Sequence, residues 1–306
     1  MSSSLYSNLA ALTGLLIWYG VFARLAPKDR TRWLRPLLPI LLGFISFRVL
    51  GLYLSTVHPR FVPHLGFLTS GSTLLRFNLD VGLREETIKL LLALPILLWH
   101  TRPSAPSATQ TSAHLAAALV GIGFATAENR LFFHAHAEPT LLVGRIFATT
   151  LLHATATGLC GAALVRAWQG KGHAWARFAV TLLLVAAAHG LYDWAPASGQ
   201  SWLHLGGTSW LSLAVVIALT ATFLHHHRHT QPPGTHGPSA QNWLLGGALL
   251  QYTLALSLTW AHWKTPTALW ICTQECALFL PVIIATALGL AAVSPSALPS
   301  SPSHHE

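Results

Sequence analysis

The stretch GLREETIKLLLALPILLWH, residues 82–100, constrains this chain more than any other. It opens with Arg84, Glu85 and Glu86, places Lys89 one turn later, and then runs apolar to Trp99. Carboxylates at the mouth of an apolar segment of membrane length are costly. Such groups mark a functional site when a partner for them can be named. On a helix Lys89 stands at i+4 from Glu85 and i+3 from Glu86, so it faces both. The fold must therefore let a helix bury charge against other polar groups.

Composition indicates where that happens. The 306 residues are 52% hydrophobic and 9% charged, against about 25% charged in a typical soluble domain. The expected fold class is all-α, a polytopic transmembrane helix bundle embedded in the lipid bilayer. About nine spans can be placed, near 5–24, 35–55, 83–99, 113–133, 141–167, 176–194, 207–225, 243–261 and 268–292. A β-barrel would read instead as short alternating segments. The formal charge of +9 would suit a nucleic-acid binder, but the basic residues lie between apolar runs. The positive-inside rule places them there, and no nucleic-acid partner is expected. Cys160, Cys272 and Cys276 all sit in apolar segments and read as small buried hydrophobes.

The first apolar run has no basic residue before it, whereas Arg24, Lys28, Arg30, Arg32 and Arg35 follow it. With Arg102, Arg166, Lys171, Arg177 and Arg228 in alternate loops, the orientation is N-out and C-in. Arg60 and Arg76 in loop 56–82 run against it. That loop carries an apolar run, Phe61–Leu75, too short to span and read as interfacial or re-entrant. Pro/Ser/Thr/Gly-rich stretches at 101–112 and 230–242 read as linkers. The division expected is 1–80 for the first two helices plus the interfacial segment, 81–196 for a four-helix core, 197–293 for three C-terminal helices and 294–306 for a disordered tail.

Only nine Asp and Glu occur in the chain, and four of them, Glu85, Glu86, Glu128 and Asp193, lie in or at the ends of apolar runs. Glu128 has Phe124 one turn before it and Asn129 beside it; Asp193 has His189 at i−4, on the same helical face. His153 is flanked by Thr149, Thr150, Thr155 and Thr157. Counting at 1.5 Å per residue puts Glu128 roughly 8 Å from the outer end of its helix and His153 roughly 12 Å below Arg145, which is assigned to the surface. The Glu85–Glu86 pair and the His189–Asp193 pair fall in the same outer half. Unrelated structural accidents would not need to agree in depth. Taken singly, each has an ordinary reading: a macrodipole-complementing Glu pair, an interhelical hydrogen bonder, an i,i+4 pair. The run His225–His229 reads as a polar helix end, and Glu275 as a structural hydrogen bonder.

In order, Glu-Glu-x-x-Lys (85–89), Phe-x-x-x-Glu (124–128), an isolated His153 and His-x-x-x-Asp (189–193) resemble the PrsW family of intramembrane proteases. They are similar, more distantly, to the CAAX-prenyl protease and bacteriocin-processing superfamily. The resemblance covers residues 80–195. It implies a glutamate-type peptidase acting on a single-span or otherwise membrane-anchored protein, such as an anti-sigma factor, in a bacterial plasma membrane.

Hydrolysis in a membrane requires a water, a base and donors for the oxyanion. Glu85 or Glu86 is expected as base, the two being equivalent by sequence, with Lys89 setting the charge of the pair. His153 would share in water activation or protonate the leaving amine. His189 and Asp193 would orient or donate to the oxyanion, and Glu128 would orient a histidine, with Phe124 and Asn129 in support. No metal is required by this scheme. His153, His189, Glu128 and Asp193 could nonetheless hold Zn²⁺, although no His-Glu-x-x-His helix is present. A non-catalytic membrane scaffold binding a partner through the same polar cluster is the alternative from another class. A proton-coupled transporter is a third reading, without the inverted repeats usual for one.

Overall fold

A computed structural model describes residues 3–26, 37–56, 73–99, 109–136, 141–170, 172–200, 204–205, 208–230 and 239–293. Most of the interfacial run 61–75, the bulk of both linkers and the tail 294–306 lie outside them. The described residues are almost entirely helical, as composition indicates. Helix α1 is Ser3–Leu25 and α2 is Leu37–Thr56. Helix α3 runs continuously from a first turn, Leu74–Arg76, through a wider π-helical segment, Phe77–Leu83, into Arg84–Trp99. Then come α4 (Thr109–Ala135), α5 (Leu141–Gln169, π-helical over Arg145–Thr149) and α6 (Ala174–Ala197). A two-residue hairpin pairs His204–Leu205 with Thr208–Ser209. Helices α7 (Trp210–Thr230), α8 (Ser239–Trp263), α9 (Pro266–Ala277) and α10 (Leu280–Val293) complete the described chain. Helices α4 and α8 begin at Thr109 and Ser239, inside the expected linkers, because a helical first turn accommodates Ser, Thr and Gln.

Among the described residues, seven helices are long and apolar enough to cross a membrane, and the pair α9–α10, bent by 41°, makes an eighth when taken as one span. The bend falls where Pro281, having no N–H, cannot continue the ladder from α9. Thr265 caps α9 by accepting from the Ala268 amide at 3.2 Å, with Pro266 in the first turn. The expected span at 83–99 corresponds to the 16-residue α-helical part of α3.

Helix α5 is the axis of the bundle, with 94% of its apolar window buried. Helix α4 lies along one side of it, and α3, α6 and α7 pack around the rest. Helices α1 and α2 pack on α4, and the Trp18 indole donates to the Ile146 carbonyl in the π-helical turn of α5. Small residues set the closest approaches, as is usual where lipid offers no hydrophobic drive between helices. A Cβ on Gly121 of α4 would stand 2.2 Å from the His153 carbonyl of α5, and one on Gly82 of α3 would stand 2.0 Å from the Ala186 carbonyl of α6. Leucines such as Leu183, Leu184, Leu249 and Leu288 point outward, exposed. In water that surface would be an aggregation liability; in a bilayer it is solvated.

Candidate active site

Helix α3 enters the site through a widened turn. The Arg84 amide reaches back to the Leu79 carbonyl, a π-type bond, before α-geometry resumes. Such turns concentrate at functional sites, because they reset which face the next residues present. Here Glu86 and Lys89 become buried against α5 and α6. Helix α5 has a second widened turn, in which the Thr150 amide bonds the Arg145 carbonyl, one turn before His153.

The side chains form one connected network. Lys89 Nζ donates to Glu86 Oε1 at 2.6 Å and to His153 Nδ1 at 2.8 Å, and lies 4.5 Å above the Phe124 ring. An ammonium only donates, so His153 Nδ1 accepts and its proton resides on Nε2. That N–H donates to Glu128 Oε2 at 2.8 Å. The second oxygen of Glu128 accepts from Arg145 Nη2 at 2.6 Å. His189 Nδ1 donates to Glu86 Oε1 at 2.9 Å, and Thr157 Oγ1 donates to Glu86 Oε2 at 2.9 Å. The other nitrogen of His189 faces Asp193 Oδ2 at 3.4 Å and Glu85 Oε2 at 3.7 Å. The two imidazoles meet edge to face, 4.9 Å between centroids.

Exposure grades across this network. The side chains of Glu86, Lys89, His153 and His189 are at most 2% exposed, Glu85 is 13%, and Glu128 and Asp193 are about 30%. The two ends of the network therefore differ in access to water. Each oxygen of Glu86 is committed to a donor. Glu85 Oε2, in contrast, is buried without a hydrogen-bond partner, an arrangement costly enough to call for an occupant.

Residues 10–223 match the model of the PrsW family of intramembrane metalloproteases. The chain belongs to this family. No curated protein and no solved structure gives a significant match. As a PrsW-family intramembrane protease it is a multi-pass membrane peptidase, in agreement with the reading of its motifs.

All six side chains singled out in the sequence lie in the one network, with Lys89, Phe124 and Asn129 beside them. They pack against one another, and a cavity of about 910 Å³ lies elsewhere, at the α5–α6 connection beside Arg166, His173 and Arg177. Asn129 donates to Thr150 Oγ1 at 3.0 Å and to the Arg145 carbonyl at 3.3 Å, tying α4 to the widened turn of α5. Arg145, used in the sequence only to mark depth, is 16% exposed and grips Glu128, with Nε on Asn129 Oδ1 at 2.8 Å. The signal was available: an arginine within an apolar run also requires a partner. Thr157, taken only as a flanking residue, holds Glu86.

The family's description names a metal, so the donors need testing. Among the described residues one group could hold an ion: Glu85, His153 and His189, whose donor atoms lie within 4.8 Å of one another. The set differs from the expected one, Glu85 standing where Glu128 and Asp193 were placed, because Arg145 and His153 already occupy Glu128. The unpartnered Glu85 oxygen fits a cation, whereas ligation through His189 Nε2 would compete with Asp193 and ligation through His153 Nε2 would displace its bond to Glu128. Among the described residues the histidine run forms no group of converging ligand atoms. His227 is fully buried, and His114 stacks on Phe223 with centroids 4.0 Å apart and meets His226 at 5.0 Å. His227 alone of the run is fully buried in this aromatic knot, while His225, Arg228 and His229 are exposed at the polar helix end expected there.

Proposed function

We propose that the protein hydrolyses a peptide bond of a membrane-anchored substrate, such as a single-span anti-sigma factor, near the outer face of a bacterial plasma membrane, with Glu85 as the general base. The observation that carries this is the contrast within the acidic pair: Glu86 is saturated by Lys89, His189 and Thr157, while Glu85 Oε2 is buried and unpartnered. A water resting between Glu85 Oε2 and His189 Nε2 satisfies both. Glu85 takes its proton, the oxygen bonds the scissile carbonyl carbon, and the proton passes to the departing amine as the C–N bond breaks. Developing negative charge on the carbonyl oxygen is met by the nearby Lys89 ammonium. Glu86 holds His189 and Lys89 in place, and Glu128 holds His153. Asp193, on the exposed side, orients His189.

Metal-assisted hydrolysis is the second reading, favoured by the convergence of Glu85, His153 and His189. These three would hold a divalent ion such as Zn²⁺, which would supply Lewis acidity and an acidified water. The decisive experiment is cleavage of a reporter span by purified protein in detergent, with Glu85→Gln compared to the parent. The amide is nearly isosteric and takes no proton, so a loss of about 10²–10⁴-fold is expected. Undiminished cleavage would sink the carboxylate mechanism. Metal bound stoichiometrically, and lost together with activity on chelation, would select the second reading.

A further inference from the structure

We infer that Arg145 is a positioning residue of the hydrolytic site, acting through Glu128 to hold His153 in one orientation and one tautomer. This rests on the reading of the site given above and assigns a role to a residue outside its motifs. Arg145 lies on α5, the helix of His153, but contacts α4 with both arms of its fork. Nη2 donates to Glu128 Oε1 at 2.6 Å and Nε donates to Asn129 Oδ1 at 2.8 Å. Its backbone carbonyl accepts from Asn129 Nδ2 at 3.3 Å and from Thr150 Oγ1 at 3.2 Å. Its guanidinium rests 4.2 Å from the Phe132 ring centroid. Residues 128 and 129 are thus read as a pair by one planar fork, a geometry that lysine cannot reproduce.

The consequence reaches His153 through Glu128. With Oε1 fixed by Arg145, Oε2 is aimed at His153 Nε2 at 2.8 Å, while Lys89 occupies Nδ1 from the other side. The ring is clamped between a donor and an acceptor, and the clamp is only as firm as the carboxylate. Without Arg145, Glu128, about 30% exposed, has water as a competing partner. The side chain of Arg145 is itself 16% exposed. Its place is next to the reacting groups rather than among them.

The test is a double-mutant cycle on reporter cleavage, with Arg145→Gln, Arg145→Lys, Glu128→Gln and the pair Arg145→Gln, Glu128→Gln. A displaced catalytic group typically costs up to about 100-fold in rate. Arg145→Gln is expected to lower kcat by that order and leave KM within about twofold, with Arg145→Lys recovering part of the loss. Because Arg145 acts through Glu128, the double variant should be no slower than Glu128→Gln alone. Multiplying losses in the double variant, or full activity in Arg145→Gln while Glu128→Gln is impaired, would overturn the role of Arg145 alone. Full activity in Glu128→Gln would overturn the inference at its shared root, the part of the proposed site assigned to Glu128. A fall in KM affinity and thermal stability with kcat unchanged would make Arg145 merely structural, and so also refutes it.

Discussion

Lys89 Nζ stands 2.8 Å from Nδ1 of His153, sixty-four residues away, while also holding Glu86 at 2.6 Å. One fully buried ammonium therefore fixes the charge of a carboxylate and the tautomer of an imidazole together. Replacing Lys89 by Met should leave Glu86 buried with its main cation gone. Breaking a buried pair from one side costs about 3–5 kcal/mol. Thermal unfolding in detergent should show a marked loss for Lys89→Met and partial recovery in Lys89→Met, Glu86→Gln. Activity should stay lost in both. Equal stability of the two variants would mean the pair is not coupled as described.

The adjacent glutamates should separate by phenotype. Glu85→Gln is expected to lower turnover by about 10²–10⁴-fold with little change in unfolding temperature. Glu86→Gln removes the charge that faces Lys89 and turns one of two accepting oxygens into an NH2 donor, so it should lose stability as well as activity. Parallel kinetic and thermal measurements decide the assignment. The reverse pattern would make Glu86 the base.

Backbone contact between α4 and α5 should be equally sensitive. Gly121→Ala places a Cβ 2.2 Å from the His153 carbonyl, where only a shift of the helices can relieve the clash. Overpacking costs about 1–3 kcal/mol, and the shift falls on the Glu128–His153 bond, so cleavage should drop with stability. Gly246→Ala on α8 meets nothing within 4 Å and should be neutral or up to about 1 kcal/mol stabilising. If both substitutions behave alike, close packing at Gly121 is not what aligns the site.

Orientation is open to chemical labelling. With the N-terminus outside, a cysteine at Gln200 should react with an impermeant reagent on intact cells and one at Gln169 should not, since the two flank α6. The native cysteines are all buried and should contribute little background. Labelling of Gln169 in place of Gln200 would invert the topology, and labelling of both would break the span between them.

What the sequence by itself determined is the helical membrane class and most residues of the network, Arg145 and Thr157 excepted. Both follow from local facts: long apolar runs admit only helices when no water is present to satisfy the backbone, and scarce charges inside such runs must find one another. Lys89 facing Glu86 is an i,i+3 relation and needed no tertiary information. Pairing between helices was different. That Glu128 binds His153 and Arg145, that Thr157 reaches Glu86, and that Glu85 alone keeps an oxygen free depend on how α3, α4, α5 and α6 are rotated and how closely they approach. Those rotations are set by two π-helical turns and by glycines in backbone contact, Gly82 and Gly121. A hydrophobic pattern at helical period carries no mark of where one residue is added to a turn. The sequence therefore left Glu85 and Glu86 equivalent, and the tertiary structure distinguishes them because only one of the two carboxylates is already saturated with donors.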